Sequence, residues 1–249
     1  MKKVAIITGG TGGIGFSTAK QLGEDGYYIV LNGIVAEEGK ARMKELSDLG
    51  ISAEFKLFDC TNENQVNENI EEIGNRLGKI DVLINAAGGL GGRSRFEGMT
   101  TEFYRFVMAL NLDSTFFVSR AAIPFLKKSE DPSIINFTSI AGYNAGGPGA
   151  GVYGTAKGAV MVMTRALAKD LAEFGIRVNA VSPGTIDTPF HQATKEANPQ
   201  LFQSWKNNIL MKRFGEASEV ATVISFLVSS KASFITGETI QVNGGQDLL

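Results

Sequence analysis

The sequence contains few of the residues that build disulfides, metal centres and nucleic-acid interfaces. Its 249 residues include one cysteine and one histidine. A lone cysteine, Cys60, cannot form a disulfide within the chain or supply a cysteine-cluster metal site. The formal net charge is only −2, and lysine and arginine are scattered, so the chain lacks the basic surface typical of nucleic-acid-binding proteins. We therefore expect no metal, no nucleic-acid partner and a small-molecule ligand.

The N-terminal region also lacks a long hydrophobic run. The apolar run 4–7 is followed by Thr8 and then by glycines, so it is too short for a signal peptide or a membrane span. We expect a cytoplasmic protein without a membrane partner, and the single Cys60 fits a reducing compartment.

What the chain does contain is an alternation of short β-branched runs with longer amphipathic stretches. Strands are predicted at 4–7, 28–31, 53–58, 82–84, 134–137, 177–181 and 239–242, and helices at 36–49, 63–77, 101–126, 152–174 and 216–228. Nearly continuous apolar strands separated by helices predict a parallel sheet covered on both faces, which is an α/β, doubly wound, Rossmann-like fold. No repeat or linker divides the chain, so we expect residues 1–249 to form a single dinucleotide-binding catalytic domain.

One irregular segment follows the predicted strand 177–181. It covers about residues 184–214 and contains Pro189, Pro199 and Trp205. A segment beyond the C-terminal end of a strand is where a substrate lid would lie.

A glycine-rich turn joins the first strand to the first helix, with the sequence Thr8-Gly9-Gly10-Thr11-Gly12-Gly13-Ile14-Gly15. Glycines permit a tight turn and close backbone approach, and a helix N-terminus offers free N–H groups to an anion. The pattern is typical of a dinucleotide pyrophosphate site, although a glycine-rich connection can also be merely tight.

The order of further motifs resembles the short-chain dehydrogenase/reductase family. Gly9, Gly13 and Gly15 match the family's glycine motif, and the other matching residues are Asp59, Asn85-Ala86-Ala87-Gly88, Asn111, Ser139, Tyr153, Lys157 and Pro183-Gly184. The resemblance extends from Thr8 to the terminal Val242-Asn243-Gly244-Gly245, which makes it far more specific than any one motif.

The resemblance implies an enzyme that interconverts a carbonyl and a secondary alcohol by hydride transfer with NAD or NADP. It assigns a catalytic tetrad of Asn111, Ser139, Tyr153 and Lys157. Tyr153 would exchange a proton with the substrate oxygen, Ser139 would hydrogen-bond that oxygen, and Asn111 would hold a relay water. Cofactor contacts are implied for Gly9, Thr11, Gly13, Ile14, Gly15, Asn32, Gly33, Asp59, Cys60, Asn85, Ala86, Ala87, Gly88, Tyr153, Lys157, Pro183, Gly184, Ile186 and Thr188.

Tyr153 and Lys157 also make sense together on physical grounds. They are four residues apart and therefore share one face of the predicted helix. A nearby ammonium and a positive nicotinamide ring would favour the phenolate form of the tyrosine. The pair alone is weak evidence, because such pairs are usually surface contacts. Taken alone, Ser139 would be a strand-end hydroxyl, Asn111 a helix-capping or kink residue, and Asp59 a cap of the next helix.

The end of the second predicted strand bears on the choice of cofactor. The position of the usual ribose-binding acid is Gly33, no base follows before Lys40, and the glycine turn holds no Arg or Lys. A 2′-phosphate would lack a counter-charge there, and Glu37 and Glu38 would repel it if they lie close. We expect a preference for NAD, with use of both cofactors as the alternative.

Two arginines, Arg93 and Arg95, follow the Asn85 motif in a glycine-rich loop. Arginine suits a carboxylate or phosphate, so we expect an anionic oxo or hydroxy acid, such as a sugar acid, unless both are surface or subunit-contact residues. His191 lies in the predicted lid, as a specificity or surface residue.

Two other functions remain open on the sequence. One is a 3-oxoacyl-thioester reductase, which the same tetrad would serve, and the other is a nucleotide-binding regulatory protein without catalysis. The resemblance also implies a homotetramer. The apolar residues Val160, Val162, Met163 and Leu167 fit a subunit interface or the core.

Overall fold

Seven parallel strands form one sheet in the computed structural model, which describes residues 2–248. The strands are β1 (Val4–Thr8), β2 (Tyr28–Gly33), β3 (Ala53–Leu57), β4 (Val82–Asn85), β5 (Ser133–Phe137), β6 (Arg177–Pro183) and β7 (Thr239–Val242). Their spatial order is β3-β2-β1-β4-β5-β6-β7. The predicted parallel α/β fold is therefore confirmed, and each predicted strand is found within about two residues of its expected bounds.

The helices connect these strands and cover the sheet. They are α1 (Gly13–Glu24), α2 (Ala36–Asp48), α3 (Glu63–Leu77), α4 (Thr101–Met108), α5 (Ser114–Leu126), α6 (Ala141–Asn144), α7 (Gly151–Leu171), α8 (Gln192–Ala197), α9 (Pro199–Ser204) and α10 (Ala217–Val228). The α3 helix has the predicted bounds. A 3₁₀ turn, Ala172–Phe174, continues α7 to the predicted end of that helix.

The two faces of the sheet are covered by different helices. Because successive side chains of a strand point to opposite faces, Ile7 packs with α1 and α10 while Ile6 packs with α3 and α5. Both isoleucines are fully buried. This two-sided burial explains why the strands are nearly continuous apolar runs rather than alternating ones.

The strand order reverses between β1 and β4. From β1 the chain builds outward to β2 and β3, then crosses back so that β4 lies on the other side of β1. In open α/β sheets, ligands bind at the carboxyl ends of the strands where this reversal occurs. The topology therefore places a crevice beside the glycine turn that follows β1.

The predicted helix 101–126 is interrupted by a π-helical turn, Ala109–Asp113, between α4 and α5. Asn111 donates its side-chain N–H to the carbonyl of Val107 at 3.0 Å, and Thr115 donates its hydroxyl to the carbonyl of Asn111 at 3.2 Å. Such side-chain bonds compete with the helical ladder, and π-turns are common at functional sites. The hydrophobic period of the sequence does not reveal this interruption.

The same stretch, Thr101–Leu126, is the one helix in residues 2–248 that is long and apolar enough to cross a membrane. Val118, Ala122 and Leu126 are fully buried in the core of the protein. The test concerns length and composition only, and one face of this stretch packs in the core.

The predicted lid segment 184–214 contains more regular structure than its sequence indicates. It includes α8, α9 and the 3₁₀ turns Pro189–His191 and Trp205–Asn208. Phe202, Ile209 and Phe214 form a small cluster of buried side chains, with Trp205 packed against it. The segment thus has its own apolar contacts above the sheet.

Candidate active site

A cavity of about 680 Å³ opens at the carboxyl ends of the central strands. Its lining comes from the turn between β1 and α1, the segments that follow β4, β5 and β6, the α7 helix and the lid. Among the predicted cofactor and catalytic residues, those that line it are Gly9, Thr11, Gly13, Ile14, Gly15, Ala86, Gly88, Ser139, Tyr153, Lys157, Pro183, Gly184, Ile186 and Thr188. The size is that of an ordinary small-molecule or cofactor site.

The glycine turn presents bare backbone to this cavity. Gly9 has a φ of 60°, and a Cβ there would lie 2.8 Å from the backbone of Ala87. A Cβ on Gly15 would lie 2.4 Å from the carbonyl oxygen of Gly9. The N-cap of α1, Gly12, makes no side-chain capping bond, so the first N–H groups of the helix face the cavity without a protein partner. A pyrophosphate fits this arrangement by size and by charge.

Asn32 holds the glycine turn from behind. Its side-chain oxygen accepts the N–H of Gly9 at 3.3 Å and the thiol of Cys60 at 3.2 Å, while its side-chain nitrogen donates to the carbonyl of Phe58 at 2.9 Å. Burial raises the pKa of the Cys60 thiol to about 12, with a smaller contribution from Asp59, so the thiol keeps its proton. Asn32 and Cys60 were predicted as cofactor contacts, but they lie outside the cavity lining and support the turn.

A second buried polar network underlies the cavity. Asn85 at the end of β4 donates to the hydroxyl of Ser119 and to the side-chain oxygen of Asn136, each at 2.9 Å. Asn136 in turn donates to the hydroxyl of Thr164 in α7 at 3.0 Å. Asn85 is thus placed beneath the cavity rather than in its lining, and no sequence motif indicated Asn136. The network fixes β4, β5, α5 and α7 relative to one another.

Ser139 and Tyr153 lie side by side in the cavity wall. Burial raises the pKa of the Tyr153 hydroxyl, and a hydrogen bond with Ser139 lowers it by a smaller amount. The Ser139 hydroxyl also accepts the N–H of Ala141 at 3.1 Å, which orients it at the start of α6. The phenol is therefore protonated at neutral pH and can donate to a substrate oxygen.

Lys157 is one helical turn beyond Tyr153 and is buried. Its ammonium donates to the carbonyl of Phe137 at 2.8 Å and lies 5.9 Å from the centre of the Tyr153 ring. Burial lowers the pKa of Lys157 to about 8. In the protein alone, burial is the main influence on the Tyr153 pKa, and the ammonium is directed to Phe137. The expectation that Lys157 and the bound nicotinamide ring together favour the phenolate stays a prediction.

Asn111 reaches the segment after β4 from the π-helical turn. Its side chain accepts the N–H of Gly89 at 3.0 Å and donates to the carbonyl of Gly89 at 2.8 Å. A Cβ on Gly88 would lie 2.9 Å from the Asn111 side-chain oxygen and 3.2 Å from the Lys157 nitrogen. The structure therefore brings Asn111 and Lys157 together around Gly88, although Asn111 itself lies behind the cavity lining.

Arg93 and His191 also line the cavity. The Arg93 guanidinium donates to the carbonyl of Pro148 at 3.0 Å. The His191 ring lies 4.9 Å from Phe190 and 5.7 Å from Trp205, and Phe190 lies 6.2 Å from Tyr153. Burial, then the positive charges of Lys195 and Arg93, lower the pKa of His191 to about 4 against the opposing effect of Asp187. The imidazole is therefore neutral at physiological pH.

The charge of the cavity lining has one sign. The charged side chains that line it are Arg93 and Lys157, and no Asp or Glu is among the lining residues of the described chain. Lys157 is bonded to the carbonyl of Phe137, so Arg93, an exposed residue, is the other cation of the lining. A negative group on a ligand would find a counter-charge there.

Arg95 and Asp59 do not reach the cavity. Arg95 is exposed and precedes the 3₁₀ turn Phe96–Gly98, so its predicted contact with substrate is not supported by its position. Asp59 accepts the N–H and the hydroxyl of Thr61, each at 2.8 Å, and thus stabilises the turn before α3. Gly33 is buried behind Thr11.

The sequence analysis missed one base near the glycine turn. Arg42 of α2 donates from Nε to the carbonyl of Thr11 at 2.8 Å. Glu38, one helical turn earlier, accepts the Thr11 hydroxyl at 3.1 Å. Glu38 and Arg42 are four residues apart and therefore lie on one face of α2. This spacing could have been recognised in the sequence.

Comparison with known proteins agrees with this geometry. A family model described as Enoyl-(Acyl carrier protein) reductase matches residues 9–247. The chain is 36% identical to the 3-oxoacyl-[acyl-carrier-protein] reductase FabG of Aquifex aeolicus, over 98% of the chain and 96% of that protein. A solved Brucella melitensis structure, named as a short-chain dehydrogenase/reductase and glucose/ribitol dehydrogenase, has a TM-score of 0.91, 34% identity and full coverage of both chains. The chain belongs to the short-chain dehydrogenase/reductase family.

A second solved short-chain dehydrogenase/reductase is also similar to this one. It is named as the NADH-dependent reductase A1-R′ responsible for alginate metabolism, with a TM-score of 0.90 and 34% identity over 100% of this chain and 98% of that chain. The resemblance predicted from the motifs is therefore confirmed. The protein is a nicotinamide-dependent oxidoreductase that interconverts a carbonyl and an alcohol in a small-molecule substrate.

Proposed function

We propose that this enzyme acts on a small oxo or hydroxy acid whose carboxylate binds Arg93. The observation that carries the proposal is the charge of the cavity. Arg93 is the lining cation besides Lys157, and the described lining contains no carboxylate that would repel an acid. A planar guanidinium binds a carboxylate through two parallel hydrogen bonds, which adds orientation as well as affinity.

Other lining residues suit a compact, polar substrate. Thr194 and Asn208 line the cavity with hydrogen-bonding groups, and Trp205 and His191 provide flat surfaces. Neutral His191 offers one donor and one acceptor to hydroxyl groups. This mixture fits a hydroxylated acid such as a sugar acid better than a long acyl chain.

At the reacting end, Tyr153 and Ser139 are assigned to the substrate oxygen. In the reducing direction the protonated Tyr153 hydroxyl donates its proton to the oxygen as the carbonyl becomes an alcohol. Ser139 donates a hydrogen bond to the same oxygen, and the charge of Lys157 stabilises the phenolate that results. The nicotinamide cofactor supplies or receives the hydride when it is bound.

Asn111 is assigned a positioning role. Its two bonds to Gly89 hold the segment after β4 close to Lys157. The segment continues to Arg93, so Asn111 also helps to position the backbone that leads to Arg93. A relay water at Asn111 stays a prediction of the family resemblance.

For the cofactor, the glycine turn and Ile14 would hold the pyrophosphate at the N-terminus of α1, and Lys157 would hold the nicotinamide ribose. The remainder of the cofactor would contact other cavity residues, namely Ala86, Gly88, Pro183, Gly184, Ile186 and Thr188. We propose a preference for NAD over NADP, because the carboxylate of Glu38 lies against Thr11 at the edge of the cavity. The NADH dependence in the name of A1-R′ supports this preference.

Reduction of a 3-oxoacyl thioester is the second candidate function. The 36% identity to FabG, named for a 3-oxoacyl-[acyl-carrier-protein] substrate, favours it. A thioester carries no carboxylate near the reacting carbonyl, so it would leave Arg93 without a charged partner.

Replacing Arg93 distinguishes these functions. On the carboxylate substrate that the wild type turns over best, Arg93→Gln should raise KM at least about tenfold, because a charge-assisted hydrogen bond is lost. The matched control is Arg95→Gln in the same loop, which should leave KM within about twofold because this residue lies outside the cavity. An unchanged KM in Arg93→Gln, or an equal effect of both variants, would contradict the proposal.

Assembly, domain organisation and location stay predictions. Val162 is 65% exposed whereas Val160 is fully buried, so only part of the predicted apolar face of α7 is available to another subunit. We expect a homotetramer by light scattering, formed by chains that each act as one domain, and a cytoplasmic location.

A further inference from the structure

A turn that follows β7 forms part of the cavity wall. The turn covers residues 243–247, and its Gln246 lines the cavity together with Thr185 of the segment after β6. A Cβ on Gly184 would lie 2.8 Å from the side-chain oxygen of Gln246. The turn therefore packs directly against the segment after β6, and neither Gln246 nor Thr185 takes part in the proton transfer from Tyr153.

The turn is bonded to two other parts of the cavity wall. The Asp247 carboxylate accepts the side-chain N–H of Asn144, the last residue of α6, at 2.8 Å. In the lid, the N–H of Met211 donates to the carbonyl of Gly244 at 3.1 Å. The backbone that carries Gln246 is thus fixed against both α6 and the lid.

Two hydrogen bonds join Gln246 to Thr185, and together they determine which way the amide is turned. The Gln246 Oε1 atom accepts the backbone N–H of Thr185 at 2.7 Å, and Nε2 lies 3.0 Å from the Thr185 hydroxyl oxygen. Because a backbone N–H can only donate, the amide oxygen must face it. The amide nitrogen therefore faces the hydroxyl and donates to it.

The Thr185 hydroxyl consequently accepts from Gln246, and its own hydrogen is left for another partner. A threonine hydroxyl has one hydrogen and two lone pairs. Within residues 2–248, no protein group accepts this hydrogen. Because Thr185 lines the cavity, the hydrogen is available to a bound molecule.

The position of Thr185 in the sheet relates it to the reacting end of the cavity. Its strand, β6, lies beside β5 on the side away from β1 and the glycine turn. Ile140, next to Ser139, donates its N–H to the carbonyl of Pro183 at 3.3 Å. The segment that carries Thr185 thus begins beside Ser139, which is assigned to the substrate oxygen, rather than beside the turn that would hold a pyrophosphate.

We propose that Gln246 is a positioning residue that makes the Thr185 hydroxyl a hydrogen-bond donor to an oxygen of the substrate. The proposal rests on the proposed function, because it adds a contact to the same substrate, but it does not require the charge of Arg93. Hydroxyl, carbonyl and carboxylate oxygens all accept such a bond. The pair therefore suits a substrate that carries several oxygen atoms.

Reversing the hydrogen bond between the two side chains tests this role. Gln246→Glu keeps the shape of the side chain but supplies two acceptors, so the Thr185 hydroxyl would donate to the carboxylate and be lost to the substrate. Both hydrogen bonds favour the ionised form of that carboxyl group. On the substrate that wild type turns over best, KM should rise about tenfold with kcat within about threefold, because a binding hydrogen bond is lost.

Two variants of Thr185 provide the comparison. Thr185→Val removes the hydroxyl and keeps the shape, so it should also raise KM about tenfold. Thr185→Ser keeps the hydroxyl and should leave KM within about threefold of wild type. NADH affinity, measured by calorimetry, and the melting temperature should stay near those of wild type in every variant.

Combining the two changes separates the hydroxyl from the added charge. In Thr185→Val there is no hydroxyl to turn, so adding Gln246→Glu should raise KM by no more than about twofold. A direct effect of the new negative charge on an acidic substrate would instead raise KM by the same factor with or without the hydroxyl. That result would show that Gln246 does not act through Thr185.

The other failures can also be told apart. An unchanged KM in Thr185→Val would show that the hydroxyl makes no substrate contact. A weaker NADH affinity in that variant with no change in KM would overturn the proposal by assigning the hydroxyl to the cofactor. If Arg93→Gln leaves KM unchanged while the double variant gives the expected pattern, the carboxylate assignment is wrong but the role of Gln246 is supported.

Discussion

Asn111 and Gly89 exchange two hydrogen bonds. The Asn111 side chain accepts the N–H of Gly89 at 3.0 Å and donates to its carbonyl at 2.8 Å. A neutral amide is the side-chain group that can do both at once, whereas a carboxylate only accepts. The π-helical turn brings Asn111 to this position, so an irregularity in one helix fixes the backbone between β4 and Arg93.

Asn111→Ala should therefore lower the free energy of unfolding by about 1–3 kcal/mol, because the partly buried backbone groups of Gly89 lose their partners. Since the same backbone leads to Arg93, KM for the acid substrate should also rise. Urea denaturation and steady-state kinetics measure the two effects. A variant with wild-type stability and wild-type KM would show that the Gly89 contacts do not position the backbone that leads to Arg93.

Tyr153→Phe removes the proposed proton donor and keeps the ring. We expect kcat to fall by about 10²- to 10⁴-fold, because positioned proton transfer contributes that much to such reactions. The affinity for NADH, measured by calorimetry, and the melting temperature should stay near those of wild type, because the Phe190 contact is to the ring. Substantial residual turnover would mean that another group donates the proton.

Two glycines of the first turn should respond differently to alanine. A Cβ on Gly15 would lie 2.4 Å from the Gly9 carbonyl oxygen, whereas a Cβ on Gly12 has no other atom within 4 Å. Gly15→Ala should cost about 1–3 kcal/mol of stability through overpacking. Gly12→Ala should melt close to wild type.

Thermal melts of both variants, with NADH titration, provide the measurement. Gly15→Ala should also lose cofactor affinity, because the clash displaces the turn that faces the cavity. Equal melting temperatures for the two variants would contradict the close approach of Gly15 to Gly9.

His191 should make the protein sensitive to acid. Its pKa is lowered from 6.5 to about 4 by burial and the nearby positive charges. Between these values the unfolded chain binds a proton that the folded chain does not, so stability falls as pH falls from 6.5 to about 4. The melting temperature of His191→Gln should therefore fall less than that of wild type across this interval. Parallel curves for the two proteins would show that His191 is not a neutral buried group.

The fold could be predicted because it depends on local patterns. The β4 strand is four apolar or amide residues buried on both faces, and the helical period of α3 gives its bounds correctly. The glycine turn could be found from its short spacing, and Tyr153 could be found because the order of motifs resembles that of a known family. These features can be recognised in the sequence without knowledge of tertiary contacts.

The charged residues of the site could not be assigned in the same way. Arg93 and Arg95 are two positions apart in a loop without periodicity, and only the tertiary structure directs Arg93 to the carbonyl of Pro148 and into the cavity. Arg42 becomes relevant only when α2 is packed so that it contacts Thr11. The pKa of Tyr153 likewise depends on burial, which no spacing predicts.

Initial rates of NADH oxidation with matched carbonyl compounds test the proposed substrate class most directly. The compounds would be tested in pairs, each made of a free oxo acid and its methyl ester. A 3-oxoacyl thioester would be tested separately. We predict a kcat/KM at least about tenfold higher for the best free acid than for its ester or for the thioester, because only the acid can form the charged pair with Arg93. A higher kcat/KM for the ester or the thioester would contradict the assignment of Arg93 to a substrate carboxylate.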